Sequence, residues 1–287
     1  MATLREIRRK LASVHNIQKI TQAMEMVAAS RLRRAQSKAE QSRPYFLKLQ
    51  EILQQLITAS TDFKHPLIEG REAKKTGIVI ISGDRGLCGG YNNTIFTTSE
   101  KLLTKYNPSQ VELIVIGRKG VDYFSGKKWK IGSKIVEWGG KITYRQVEDL
   151  ANNLMNQFLN KELDEIWIVY TQYISISARK VMVEKLLNID VKQSEGEKKK
   201  RTLNYIFEPN MEEIFSQLLP RYCTSKIQSA LHESYASELA ARIFSMRAAT
   251  KNAEEMIEKL TLVRNKVRQS GITRELLEIT ACVESLK

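Results

Sequence analysis

The stretch LREIRRKLASVHNIQKITQAMEMVAAS, running from Leu4 to Ser30, decides how the rest of the chain is read. Its apolar residues fall at Leu4, Ile7, Leu11, Val14, Ile17, Ile20, Met24 and Val27, in steps of three and four. That period, near 3.5, belongs to a helix that seals one stripe against another helix. The pattern continues to Ile57 without a glycine and with a single proline, Pro44. A helix over that span would be about 80 Å long at 1.5 Å per residue, which is too long for the core of an ordinary globular domain.

The far end of the chain mirrors this beginning. From Asn210 to Leu286 there is one proline, Pro220, and one glycine, Gly271. Ile227, Leu231, Leu239, Ile243, Met246, Met256, Leu260, Val263 and Val267 supply a second apolar stripe, and Ile272, Leu276, Ile279 and Val283 carry it on. Glu208-Pro-Asn210 reads as the entry turn, because proline suits the first position of a helix.

The middle has another texture. Thr76–Ser82 (TGIVIIS), Val111–Ile116 and Ile166–Tyr170 are short apolar, β-branched runs. Tyr91–Lys105 and Gln146–Leu159 read as helices between and after them. Strands alternating with helices predict a small, mostly parallel α/β sheet. Leu203–Phe207 reads as an edge strand, and Glu195–Arg201 (EGEKKKR) as a solvated loop. The expected architecture is α/β plus a long antiparallel α-helical coiled coil, with N- and C-terminal helices flanking a small Rossmann-like α/β domain. Its expected parts are 1–60 for the first coiled-coil helix, 61–75 for a linker, 76–209 for the α/β base and 210–287 for the second coiled-coil helix. The second helix is the longer, so part of its apolar stripe should overhang and call for a sheath from another protein.

Composition narrows the function. Lys and Arg number 46 against 32 Asp and Glu, a net charge of +14. Such an excess attracts nucleic acid, an anionic membrane face or an acidic protein. Cys88, Cys223 and Cys282 are widely spaced, and neither they nor His15, His65 and His232 form a zinc spacing or a disulfide framework. The apolar run Ile78–Ile81 falls far short of the roughly 20 residues of a membrane span. Met1–Ile20 is basic and amphipathic like a transit peptide, but its period runs on unbroken, so it reads as mature structure of a cytoplasmic protein.

ISGDRGLCGG, Ile81 to Gly90, lies between a strand and a helix, where phosphate-binding loops lie. It matches neither G-x-G-x-x-G nor G-x-x-x-x-G-K-[ST] and lacks the lysine and hydroxyl that hold nucleotide phosphates. A tight structural turn is the expectation, with no cofactor, no metal and no catalytic residue. Cys88 has no histidine placed to activate it. The first helix carries eleven bases against four acids, with Arg31, Arg33 and Arg34 clustered. A basic arm for nucleic acid is the competing reading, and it would bring a steep salt dependence. A Rossmann-like enzyme is disfavoured by the missing fingerprint.

Several motifs carry a resemblance. Ile17–Ser30, Asp84–Gly90 (DRGLCGG), Ser237–Arg242 (SELAAR) followed by Met246, Asn265–Gln269 and Ile272–Leu276 resemble, in order and across the whole chain, the gamma subunits of bacterial F-type ATP synthases. The resemblance implies a non-catalytic central-stalk rotor that couples proton-driven rotation of a membrane ring to the catalytic beta subunits. Implied partners are three alpha and three beta subunits, epsilon and the membrane c-ring, with no nucleic acid and no direct bilayer insertion. The implied location is peripheral, on the cytoplasmic face of the bacterial plasma membrane. By resemblance, Met24 and Arg242 lie near the bearing, Arg31, Arg33 and Arg34 face acidic loops of the beta subunits, Phe207 and Glu208 touch the rotor ring, and Arg268, Gln269 and Thr273 meet the surrounding subunits. Lys251 and Arg264 depart from the family's usual residues.

Overall fold

A computed structural model describes residues 3–59, 67, 71–188 and 211–285. The elements are α1 (Leu4–Ala59), β1 (Thr76–Ile81), α2 (Tyr91–Leu103), β2 (Val111–Ile116), α3 (Arg118–Ser125), β3 (Lys130–Ile135), α4 (Tyr144–Leu159), β4 (Glu165–Tyr173), β5 (Arg179–Leu187) and α5 (Met211–Ser285). The chain divides into two compact units, Ser30–Ala241 and Met1–Ala29 with Arg242–Lys287.

In the larger unit the sheet runs β3-β2-β1-β4-β5. β1 is parallel to β2 and β4, β2 is parallel to β3, and only β4–β5 is antiparallel. β1 is buried along its whole length, which explains why it reads as a continuous apolar run rather than an alternation. Ile78 and Ile80 face α2 and α3, packing with Tyr91, Ile95, Leu103 and Phe124. Val79 and Ile81 face the other way, against α4 (Val147, Leu154, Phe158) and the parts of α1 and α5 that carry Leu53, Leu56, Phe215 and Leu219. Each helix therefore buries its stripe on the sheet, and Phe46 of α1 stacks on Tyr222 of α5 at 5.7 Å. Thr143 caps α4 in a capping box with Gln146.

The sheet has two strands that the sequence reading passed over. β3 (KIGSKI) is a half-exposed edge strand, and β5 (RKVMVEKLL) is an antiparallel edge strand rich in charge. Lysines along both edges discourage pairing with another sheet. The expected strand at Leu203–Phe207 and the loop at Glu195–Arg201 lie outside the described residues.

In the smaller unit, α1 and α5 pair antiparallel. Gln18 donates to Glu254 at 3.1 Å, Thr21 and Thr250 share a hydrogen bond at 2.7 Å, and Glu25 binds Arg247 at 2.9 Å. As α1 advances through 18, 21 and 25, α5 retreats through 254, 250 and 247, which fixes the register. Carried on at that pace, the pairing brings Leu4 level with Val267 and Arg268.

This register corrects the expected seam. Ile17, Ile20 and Val27 are not in it: they are 51 %, 58 % and 51 % exposed. The inward line is Leu4, Ile7, Leu11, Val14, Gln18, Thr21, Glu25 and Ala28, each at least half-buried. Its steps alternate strictly between three and four. The same alternation holds within the larger unit at Leu32, Ala35, Ala39, Ser42, Phe46, Leu49, Leu53 and Leu56. A coiled-coil seam follows geometry, and at three successive layers geometry places polar residues inside. On α5, Met256 and Val263 are exposed too, and the inward line is Met246, Thr250, Ala253, Ile257, Leu260, Arg264 and Val267.

Candidate functional site

The crevice at the carboxyl ends of β1, β2 and β3 is closed by the chain's own carboxylates. Asp84 Oδ1 accepts from the amides of Arg118 and Glu137 at 3.0 and 2.9 Å, and Oδ2 accepts from Gly139 at 3.0 Å. Asp84 thus occupies the amino end of α3, the position an anion would take. Gly83 donates to Asn92 at 2.9 Å, and a Cβ on it would stand 3.0 Å from the Glu238 carboxyl carbon. Ser82 Oγ donates to the Ile116 carbonyl at 2.9 Å and accepts from Gly120 at 3.0 Å. Gly117, at φ 101°, allows this approach, because a Cβ there would lie 2.2 Å from the Ser82 carbonyl oxygen. Cys88 is buried, and Asn92 donates to its sulfur at 3.4 Å. Ser82, Gly83, Asp84 and Cys88 of the Ile81–Gly90 loop thus make bonds that hold the fold together.

A second polar cluster lies where α1 and α5 meet β4 and β5. Glu184 accepts from Tyr170 at 3.1 Å and pairs with Lys226 at 3.3 Å. Glu233 Oε2 is buried without a hydrogen-bond partner. Burial, opposed by Arg43 and reinforced by Glu184, pushes the Glu233 carboxyl up to about 7. Burial lowers His232, with Lys38 adding to the effect. Burial also lifts the Cys223 thiol to about 12, which leaves it inert at neutral pH.

The helical surfaces offer a different kind of site, made for contact. Leu32 and Ala35 are buried and turn Arg31, Arg33 and Arg34 outward on α1. These three arginines make no ion pair among the described residues. Met24 and Arg242 are half-buried in the smaller unit. The pairing register sets Met24 opposite Ala248, so the two residues stand about 9 Å apart along the pair at 1.5 Å per residue.

Arg268, Gln269 and Thr273 are fully on the surface, and the Thr273 hydroxyl donates back to the Gln269 carbonyl at 3.0 Å. They sit at and beyond the level of Leu4, where α1 ends. From Arg268 to Ser285, about 27 Å of α5 extends past its partner. All of it whose burial is described, Arg268–Cys282, is exposed. Ile272, Leu276, Leu277 and Ile279 are among the exposed large apolar residues there. Within the smaller unit, Met24 and the 268–273 segment are therefore separate stations and not one site. Phe207 and Glu208 lie outside the described residues. Gln18, Thr21 and Glu25, with Glu254, Thr250 and Arg247, were missed by the sequence reading. The strict alternation set by Leu4, Ile7, Leu11 and Val14 is the signal that locates them.

A long helix pair that leaves an apolar end uncovered defines a protein that works by contact. Residues 3–286 match the family model described as ATP synthase, and the chain belongs to that family. Its curated relatives are gamma chains. It is 56 % identical over 287 residues to the ATP synthase gamma chain of Protochlamydia amoebophila, covering 100 % of each chain. It is 42 % identical to that of Moorella thermoacetica, again over 100 % of each. The fold resembles a chain in the mitochondrial ATP synthase of Euglena gracilis (OSCP/F1/c-ring, rotational state 3), with a TM-score of 0.67, 18 % identity, and coverage of 99 % of this chain and 94 % of that one. It also resembles a chain in the central stalk/c-ring structure of the Tetrahymena thermophila mitochondrial enzyme, with a TM-score of 0.61, 24 % identity, and coverage of 80 % and 99 %. The chain's role is that of a central-stalk rotor subunit, and it is not itself a catalyst.

Proposed function

We propose that the helix pair turns as a shaft inside a ring of three alpha and three beta subunits, with epsilon and the membrane c-ring at its other contacts. In this reading the chain is peripheral, on the cytoplasmic face of a bacterial plasma membrane. Arg268, Gln269 and Thr273 meet the surrounding subunits, Met24 and Arg242 lie near the bearing, and Arg31, Arg33 and Arg34 face acidic loops of the beta subunits. Phe207 and Glu208 touch the rotor ring.

The observation that carries this reading is the uncovered end of α5. Large apolar side chains exposed along one helix are unfavourable in water. Burying one such side chain completely is worth about 1.5–3 kcal/mol, so a sleeve of partner residues around Ile272, Leu276 and Ile279 gains several kcal/mol. The basic excess of α1, eleven bases against four acids, favours an acidic partner in the same way.

The coupling follows from asymmetry. Two unlike helices cannot present the same surface to three equivalent subunits, so each subunit makes different contacts. A subunit shifts toward the conformation whose contacts with the shaft are stronger, by the difference in contact free energy and no more. Rotation passes that bias from one subunit to the next, and the nucleotide chemistry stays with the partners.

The test is reconstitution with alpha and beta subunits after Cys282→Ser. A cysteine at position 24 or 268 is then cross-linked to a cysteine in the ring. Multisite ATP turnover should stop on oxidation and return on reduction. Turnover that continues unchanged through a complete cross-link refutes the shaft.

A further inference from the structure

The sheet has a second strand-end opening, which the carboxylates of the first do not fill. β1 leads to β2 and β3 on one side, while β4 and β5 lie on the other. The chain direction across the sheet therefore reverses between β1 and β4, and such a switch point leaves a crevice. A cavity of about 330 Å³ lies there, lined by Tyr91 and Thr94 of α2, Thr171 of β4, and Ser177, Arg179 and Val181 of the β4–β5 hairpin.

Its lining is hydroxyl-rich and carries one cationic side chain. Arg179 is half-exposed and makes no ion pair among the described residues. The amino end of α2 has no side-chain cap and no acidic residue in its first turn, so its partial positive charge is not offset locally. The buried hydroxyl there is Thr171. It is 1 % exposed, and its Oγ1 makes no hydrogen bond of good geometry, although the Tyr91 hydroxyl lies near enough to interact with it. Tyr91 donates its own proton to the Ser234 carbonyl at 3.0 Å. A buried hydroxyl left without a good hydrogen bond costs about 1–3 kcal/mol, and a ligand oxygen would supply one.

We infer that this cavity binds a small oxyanion, free phosphate or the phosphate of a small ester, with Arg179 as the charge partner and Thr94, Ser177 and Thr171 as hydroxyl donors. Thr94 spends its proton on the Gly90 carbonyl at 2.8 Å in the unliganded geometry, so it must rotate to donate. Glu238 is felt electrostatically at Tyr91, a negative charge that opposes any anion here and that Arg179 must outweigh. The site is independent of the shaft reading, and its failure would leave that reading untouched.

The experiment is a titration of the full chain with inorganic phosphate, read by 31P line broadening at constant ionic strength made up with chloride. Saturable broadening with a Kd on the order of millimolar is expected. Arg179→Gln should weaken it about tenfold, as the loss of one charge-assisted contact does. Thr171→Val, which keeps the shape and removes the hydroxyl, should weaken it severalfold with an unchanged circular dichroism spectrum. Lys180→Ala, on the next residue, should bind as the parent does. Glycerol 3-phosphate in place of phosphate distinguishes the sources: tighter binding assigns the site to an ester, equal binding to the free anion. Absence of saturable broadening overturns the proposal. So does parental affinity in Arg179→Gln or Thr171→Val, or an equal loss in Lys180→Ala.

Discussion

Replacing Glu25 by leucine should tighten the helix pair, although it removes an ion pair. Glu25 occupies an inward position of the seam, and its side chain is only 22 % exposed, whereas Arg247, its partner at 2.9 Å, is 70 % exposed. Fully burying a leucine side chain yields about 1.5–3 kcal/mol, and roughly three-quarters of that is available at this depth. The ion pair it replaces has one end in water and is worth about 0.5 kcal/mol after screening. Arg247 loses little when abandoned, because solvent already surrounds it. Leucine and glutamate differ negligibly in helix propensity. The net expectation is about 1 kcal/mol of stabilisation, confined to the pair. Hydrogen exchange of the α1 amides between Val14 and Ala28 in the full chain reads this directly. About 1 kcal/mol slows exchange roughly fivefold where opening is local. Faster exchange in that segment would show that the polar layer holds the helices together, and the reasoning would fail.

Three further outcomes follow from the larger unit. Gly117→Ala should destabilise it by more than about 2 kcal/mol, since a Cβ would strike the Ser82 carbonyl at 2.2 Å with φ at 101°; the urea midpoint checks this. Glu233 has a folded-state pKa raised to about 7 from an ordinary value of 4.5. The folded chain therefore binds the extra proton between those values, and stability falls as pH rises from about 4.5 to 7. Glu233→Gln should flatten that part of the profile, which urea midpoints measured at pH 5 and pH 8 would reveal. Thr143→Ala should cost about 1 kcal/mol by removing the cap of α4, seen as a lower thermal midpoint.

The long helices and the central strands were legible because each expresses one strong period. α1 contains no glycine to interrupt it, and β1 is apolar at successive positions because both its faces are covered. β3 and β5 escaped because an edge strand needs neither an apolar run nor a clean alternation. Lys130, Lys134, Lys180 and Lys185 blur the pattern that would mark them. The seam was misplaced for a related reason. Ile17 and Ile20 are the most apolar choices in their turns, but Gln18 and Thr21 hold the inward positions and satisfy their polar atoms across the interface. Hydropathy identifies which residues prefer to be buried, while spacing identifies which ones are. The uncovered end of α5 was inferred correctly from unequal helix lengths. The polar interior of the pair depends on matching side chains from opposite ends of the chain, and no single window of sequence contains both.

The two oxygens of Asp84 rivet together the crossovers that follow three neighbouring strands. Families of α/β proteins usually acquire new chemistry by lengthening or rewriting such crossovers one at a time. In this chain none of the three can be rewritten alone, because each shares its fastening with the other two. A change in any one of these crossovers therefore pulls on the other two, while the hairpin joining β4 to β5 lies beyond the reach of Asp84's bonds.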